Sequence, residues 1–192
     1  METPTFIETY QTGEFDLCDR IVARFEELLS EKDSENLSHH FMLGEQTNNG
    51  ARSRRDFSFN FKSIQEPLVQ DMHVVLGNCV SEYAQKYPSF AGQNCMSDDM
   101  KVQKTPPKGG FHTWHCEHSV NQNSCYRNLT WTFYLNDMPD GEGETEFLEY
   151  GLKIAPKKAD LCLFPAAWTH THRGNAVYTC DKYIATGWYY LV

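Results

Sequence analysis

From residue 100 onward the chain is a succession of short segments in which apolar and polar residues alternate, separated by turn-forming clusters. The segments are 100–105, 111–118, 129–135, 145–150, 160–164, 169–173 and 182–191; the clusters include PPKGG, NDMPDGEGE and APKKAD. Alternation with period two marks strands, and frequent Gly, Pro, Asn and Asp make the connections tight. Such a chain must close its strands into a sandwich or an open barrel. The first half reads differently. Leu17, Ile21, Val22, Phe25, Leu28 and Leu29 recur at helical spacing over 15–29. Leu68, Met72, Val75, Leu76, Val80 and Tyr83 do the same over 64–87, with Pro88 as the expected stop. Between them, over 55–61, Phe57, Phe59 and Phe61 alternate as in a strand. The expected class is mainly β with flanking helices. We read 1–192 as one domain, with helical support to about residue 95 and the barrel from about 96.

A net charge of −9 argues against general nucleic-acid binding, which calls for a clustered basic excess. No apolar run approaches the roughly 20 residues that span a bilayer, and METPTFIETYQTGEF has no basic segment followed by an apolar one. The expected partners therefore include neither nucleic acid nor membrane. Seven scattered cysteines without a CxxC pair suit reduced thiols in a cytoplasm rather than a disulfide framework or a structural zinc site.

The segment FHTWHCEHS carries the chemistry. On a strand, His115 and Glu117 share a face, so an imidazole and a carboxylate can bind one metal ion together. FPAAWTHTHRG offers the third ligand, His170 or His172. Two histidines and one carboxylate form the facial triad of Fe(II) oxygenases, with three coordination positions left for cosubstrate and oxygen. Alternation in KYIATGW places Lys182, Ile184, Thr186 and Trp188 on one face. A lysine inside a barrel needs an anionic partner, and a dicarboxylate chelating the metal at one end would reach it. Trp114 and Trp131, on the opposite parity, are expected to pack against the helices. Arg52, Arg54 and Arg55, beside a Gly/Asn-rich loop, could form a substrate-facing flap, although such charge runs are more often solvated faces.

Taken in order, HCE at 115–117, TWTFYLND at 130–137, GETEF at 143–147, FPAAWTHTHRG at 164–174 and Lys182 resemble the prolyl 4-hydroxylase-like branch of the 2-oxoglutarate oxygenases, bacterial and bacteriophage forms included. The resemblance covers roughly residues 100–190. It implies a double-stranded β-helix (a jelly-roll, cupin-like barrel) and the cofactors Fe(II), 2-oxoglutarate and O2, with ascorbate as a supporting reductant. The ligands would be His115, Glu117 and His172, the spacing to Lys182 favouring His172 over His170. Lys182 would pair with the far carboxylate of 2-oxoglutarate, Tyr134 would face inward and hydrogen-bond near it, and Thr186 and Trp188 would line the pocket. Arg127 and His112 would face the substrate. Two departures stand out: Glu117 replaces the usual Asp of the HxD motif, and Thr105 stands where a Tyr is common. The implied reaction is C–H hydroxylation, first of prolyl residues in a protein or peptide, next of a free amino acid or small metabolite. A catalytically idle metal-binding barrel is a reading from another class, and a zinc or nickel cupin enzyme a third.

Overall fold

The computed structural model describes residues 4–31, 41–43, 57–62, 67–97, 99–119 and 124–192. Helix α1 (Phe15–Glu31) opens with Asp16 in its first turn, where a negative charge suits the helix dipole. It buries the stripe Leu17, Ile21, Phe25 and Leu28. Helix α2 (Pro67–Lys86) starts on a proline, whose missing N–H costs nothing at that position. Pro88 stops α2 as expected, the helix ending at Lys86. It initiates a further turn, α3 (Pro88–Ala91).

Among the described residues, eight strands make one antiparallel sheet. They are β1 (Glu8–Gln11), β2 (Phe41–Leu43), β3 (Phe57–Lys62), β4 (Cys95–Met96), β5 (Asp99–Thr105), β6 (Arg127–Tyr134), β9 (Asp160–Pro165) and β11 (Lys182–Leu191). Their order is β1-β9-β6-β11-β5-β3-β2, with β4 pairing the end of β11. A second antiparallel sheet has the order β10-β7-β8, from β7 (Thr145–Phe147), β8 (Leu152–Ile154) and β10 (His172–Gly174).

The larger sheet is apolar on both faces for different reasons. Met100, Val102, Leu129, Trp131, Phe133, Leu161, Leu163 and Ala185 face outward into a core shared with α1 and α2. Tyr134, Cys162 and Phe164 face inward and pack with Phe147 of the smaller sheet. Helices buttress one sheet and the two sheets enclose an interior, which is a double-stranded β-helix. The packing is close where β6 and β11 pair Trp131 with Gly187. A Cβ built on Gly187 would lie 2.6 Å from Trp131 Cζ2. Gly187→Ala is therefore expected to cost about 1–3 kcal/mol, the range for overpacking. It would appear as a lower denaturant midpoint at unchanged slope; an unmoved midpoint would mean the indole can give way.

Other expectations need correction. Residues 111–118 are not a strand: only His115 makes a bridge, to His172. Residues 168–170 form a 3-10 turn (Trp168–His170), and pairing begins at His172. Trp131 is fully buried against the helices, but Trp114 is half-buried beneath the guanidinium of Arg173, 4.4 Å away, on the smaller sheet's side. The strands β1, β2, β4 and β8 were not foreseen. The Arg52, Arg54 and Arg55 flap lies outside the described residues. None of the seven cysteines is paired, and among the described residues no helix is long and apolar enough to cross a membrane.

Candidate active site

The alternation argument placed His115 and Glu117 together, but the backbone does so by other means. Gly174 N–H donates to Phe111 O (2.9 Å), so 111–117 runs alongside β10. From there to His172 the strand advances two residues while the facing segment advances four, to His115. The excess residues loop out, and this breaks the strand. His115 and His172 then exchange backbone hydrogen bonds in both directions, 3.0 and 2.8 Å. The N–H groups of Glu117 and His118 both donate to Ala166 O, at 3.1 and 3.2 Å, just past the end of β9. Two candidate ligand positions are thus tied to each other and the third to the larger sheet.

The side chains follow. Nδ1 of His115 lies 2.9 Å from Thr113 O, and Nδ1 of His172 lies 3.0 Å from His170 O. A carbonyl only accepts, so both Nδ1 atoms carry the proton and both Nε2 lone pairs are left for a ligand. Phe111 packs on the His115 ring, and Phe147 and Phe164 on that of His172, fixing their orientation. Glu117 Oε1 sits 3.3 Å from His172 Nε2 and 3.6 Å from His115 Nε2. With bonds of about 2.1 Å to one ion, adjacent octahedral donors lie roughly 3 Å apart. The donor set of two imidazoles and one carboxylate, within 4.8 Å of one another, fits Fe(II). Burial alone would raise the Glu117 pKa. In the metal-free site a proton on Nε2, which a metal would displace, lets the two histidines donate to Glu117, and their hydrogen bonds and charges outweigh burial and hold the carboxyl far below the usual range, hence ionised.

The three face a cavity of about 320 Å³. Lys182, Ile184, Thr186 and Trp188 all line it, as alternation requires. Lys182 is buried, and its Nζ donates to Gly143 O at 2.5 Å. Gly143 has φ +63°, and a Cβ on it would stand 3.0 Å from Lys182 Cδ, so the GET turn needs glycine to make this contact. Among the described residues no carboxylate pairs with Lys182, and desolvation pushes its pKa down to about 8. Thr130 Oγ1, also on the wall, is buried without a hydrogen-bond partner. An ammonium facing only a neutral carbonyl and an unsatisfied hydroxyl fit a bound anionic oxygen ligand. Although the chain is acidic overall, Lys101, Arg127, Arg173 and Lys182 line this cavity with Glu117 as its acid.

Other predicted site residues are placed differently from expectation. Tyr134 is fully buried behind the wall with its hydroxyl 2.8 Å from Thr145 Oγ1, and Thr145 lines the cavity in its place. His112 packs its ring over Gly110 rather than lining the cavity. His170 is buried but turned away: Nε2 is 2.8 Å from Thr5 O and 3.3 Å from Tyr150 Oη. Arg127 and Trp188 do line the cavity, but both donate to Glu117. Lys101, Gln103 and Thr105 of β5 were missed as a set. The signal was there, in the alternation of MKVQKT, whose apolar members go to the helix core.

Residues 100–190 match the family model described as the 2OG-Fe(II) oxygenase superfamily. No curated relative matches at the sequence level. Solved structures match over nearly the whole chain. A viral collagen prolyl hydroxylase from Paramecium Bursaria Chlorella virus-1, in its 2OG complex, is similar with TM-score 0.69 and 18% identity over 97% of both chains. A prolyl-4-hydroxylase from Pseudomonas putida is similar with TM-score 0.67 and 14% identity over 98% of this chain and 94% of that one. A prolyl hydroxylase from Trichoplax adhaerens, in complex with a hypoxia inducible factor oxygen degradation domain peptide fragment, gives 0.69 and 17% over 97% and 84%. The sequence match and the fold agree: residues 100–190 form a domain of the 2OG-Fe(II) oxygenase superfamily, whose members depend on Fe(II), 2-oxoglutarate and O2, on a fold shared with prolyl hydroxylases.

Proposed function

We propose that the protein, acting as one folded unit, hydroxylates prolyl residues in a protein or peptide, with the metal held by His115, Glu117 and His172 and the far carboxylate of 2-oxoglutarate held by Lys182. One observation carries this reading: three metal-ready donors and a buried ammonium, without an anionic partner among the described residues, share a single cavity. When bound, Fe(II) with 2-oxoglutarate and O2 supplies the oxidising power for oxygen insertion into a C–H bond. The chain's residues do the rest. Both histidines present Nε2 because their Nδ1 protons are engaged by carbonyls, and Glu117 presents Oε1 as an anion. Lys182 fixes the direction in which a dicarboxylate lies, while Thr130 and Thr186 supply polar wall around it. Ile184, Phe164 and Val177 add apolar wall that limits water there.

The peptide preference is supported by the structural neighbours, which include prolyl hydroxylases and one in complex with a peptide fragment. A succinate-release screen with Fe(II), 2-oxoglutarate and air, comparing proline-containing peptides with free amino acids, tests it. Proline peptides should raise succinate well above the substrate-free rate, with a hydroxyl mass added to the peptide. Stimulation by free amino acids alone would move the substrate to small metabolites. No charge-transfer band on anaerobic mixing with Fe(II) and 2-oxoglutarate would remove the cosubstrate site itself.

A further inference from the structure

The carboxylate of Glu117 has two oxygens in unlike surroundings. Oε1 faces His115 and His172. Oε2 accepts from Trp188 Nε1 at 2.9 Å and from Arg127 Nη1 at 3.1 Å. The same Arg127 nitrogen also reaches Glu117 O at 3.2 Å, so it grips side chain and backbone together. The guanidinium carbon of Arg127 stands 3.6 Å above the Trp188 ring, so the two donors brace one another.

Strict alternation would turn Arg127 away, since Thr130 and Thr132 point into the cavity. A β-bulge reverses this. Tyr189 pairs with Leu129 but Tyr190 pairs with Arg127, so Asn128 is one extra residue in β6. Arg127 thereby joins the inner face beside Trp188. From these contacts we infer that Arg127 and Trp188 act as positioning residues that clamp the outer oxygen of Glu117, so that this glutamate offers the metal one oxygen only. The clamp also answers the departure from aspartate. A shorter side chain would withdraw the carboxylate by about one C–C bond, roughly 1.5 Å, and take Oε2 out of reach of both donors. The inference rests on the reading of His115, Glu117 and His172 as the metal ligands.

Co(II) titration of the full chain, followed by visible absorption and paired with thermal melting, tests it without turnover. Trp188→Phe should weaken Co(II) binding by about 10–100-fold, as for other partners of a ligand, and shift the cobalt bands as the carboxylate rotates. Arg127→Lys should fall between wild type and Arg127→Met, because it keeps the charge but not the planar stack. Glu117→Asp should weaken binding comparably although aspartate is the residue usual in this motif, and adding Trp188→Phe to it should cost little more. Glu117→Asp leaves the core untouched, so it carries the test even if a tryptophan variant unfolds. Wild-type affinity and spectrum in Glu117→Asp, or full additivity in the double variant, would overturn the clamp alone. Wild-type Co(II) binding by His172→Ala would overturn the ligand set, and the clamp with it.

Discussion

His172→Ala is expected to abolish iron-dependent turnover of 2-oxoglutarate, whereas His170→Ala should keep most of it. Removing His172 takes away an oriented Nε2 donor, and the loss should exceed the roughly 100-fold upper range for partners that only support a ligand. His170 contributes differently. Its backbone carbonyl receives the Nδ1 proton of His172, and alanine retains that carbonyl. Its ring instead satisfies Thr5 O and meets Tyr150 and Thr169. Its loss takes a hydrogen bond from the half-buried Thr5 carbonyl, at about 0.5–1.5 kcal/mol. Succinate release and thermal melting, measured together, should separate the two: activity lost with little change in melting for His172→Ala, a lower melting point with activity retained for His170→Ala. The opposite ranking would mean that the distal ligand is His170.

Lys182 gives the second large effect. Lys182→Ala should raise the 2-oxoglutarate requirement about 10–100-fold, from the 1.5–3 kcal/mol of a charge-assisted hydrogen bond. The pH dependence is more particular. In the folded protein burial sets the Lys182 pKa near 8, below the 10.5 of an ordinary lysine. Below pH 8 the ammonium is charged in folded and unfolded chains alike, and the folded chain carries the full burial penalty, roughly 3 kcal/mol. Between pH 8 and 10.5 the unfolded chain binds the extra proton, so this lysine's contribution makes the ligand-free protein relatively more stable as pH rises. Binding of the dicarboxylate runs the other way: it needs the ammonium, so affinity should fall as pH rises through 8, with proton uptake on binding. Lys182→Arg, charged throughout, should flatten the profile. A wild-type affinity constant from pH 7 to 9.5 would remove Lys182 from the cosubstrate site.

Much of this architecture is legible in residue spacing, and the failures share one cause. Period two correctly puts Lys182, Ile184, Thr186 and Trp188 on the cavity and Trp131 on the helices, because β6 and β11 are long and regular there. It fails wherever a residue is added. The surplus between Phe111 and His115 ends the strand and carries Trp114 to Arg173. Asn128 turns Arg127 inward. Spacing also cannot see strands as short as β1 and β8, with four and three residues, whose pairing is dictated by neighbours rather than by their own pattern. The grouping of His115, Glu117 and His172 was legible from residue types even though the route to it was not. Chemistry constrains which side chains must meet more tightly than parity constrains how.

The mutual backbone bonds of His115 and His172 carry one more implication. A pair closed by two such bonds holds its Cα atoms about 5.5 Å apart through peptide geometry alone. Residues 112–114 lie outside that ring, although Thr113 O also engages the Nδ1 proton of His115. Side-chain exchanges at 112–114 should therefore leave the spacing of the proposed metal ligands unchanged, whereas an insertion beside Thr113 would take away the carbonyl that orients His115.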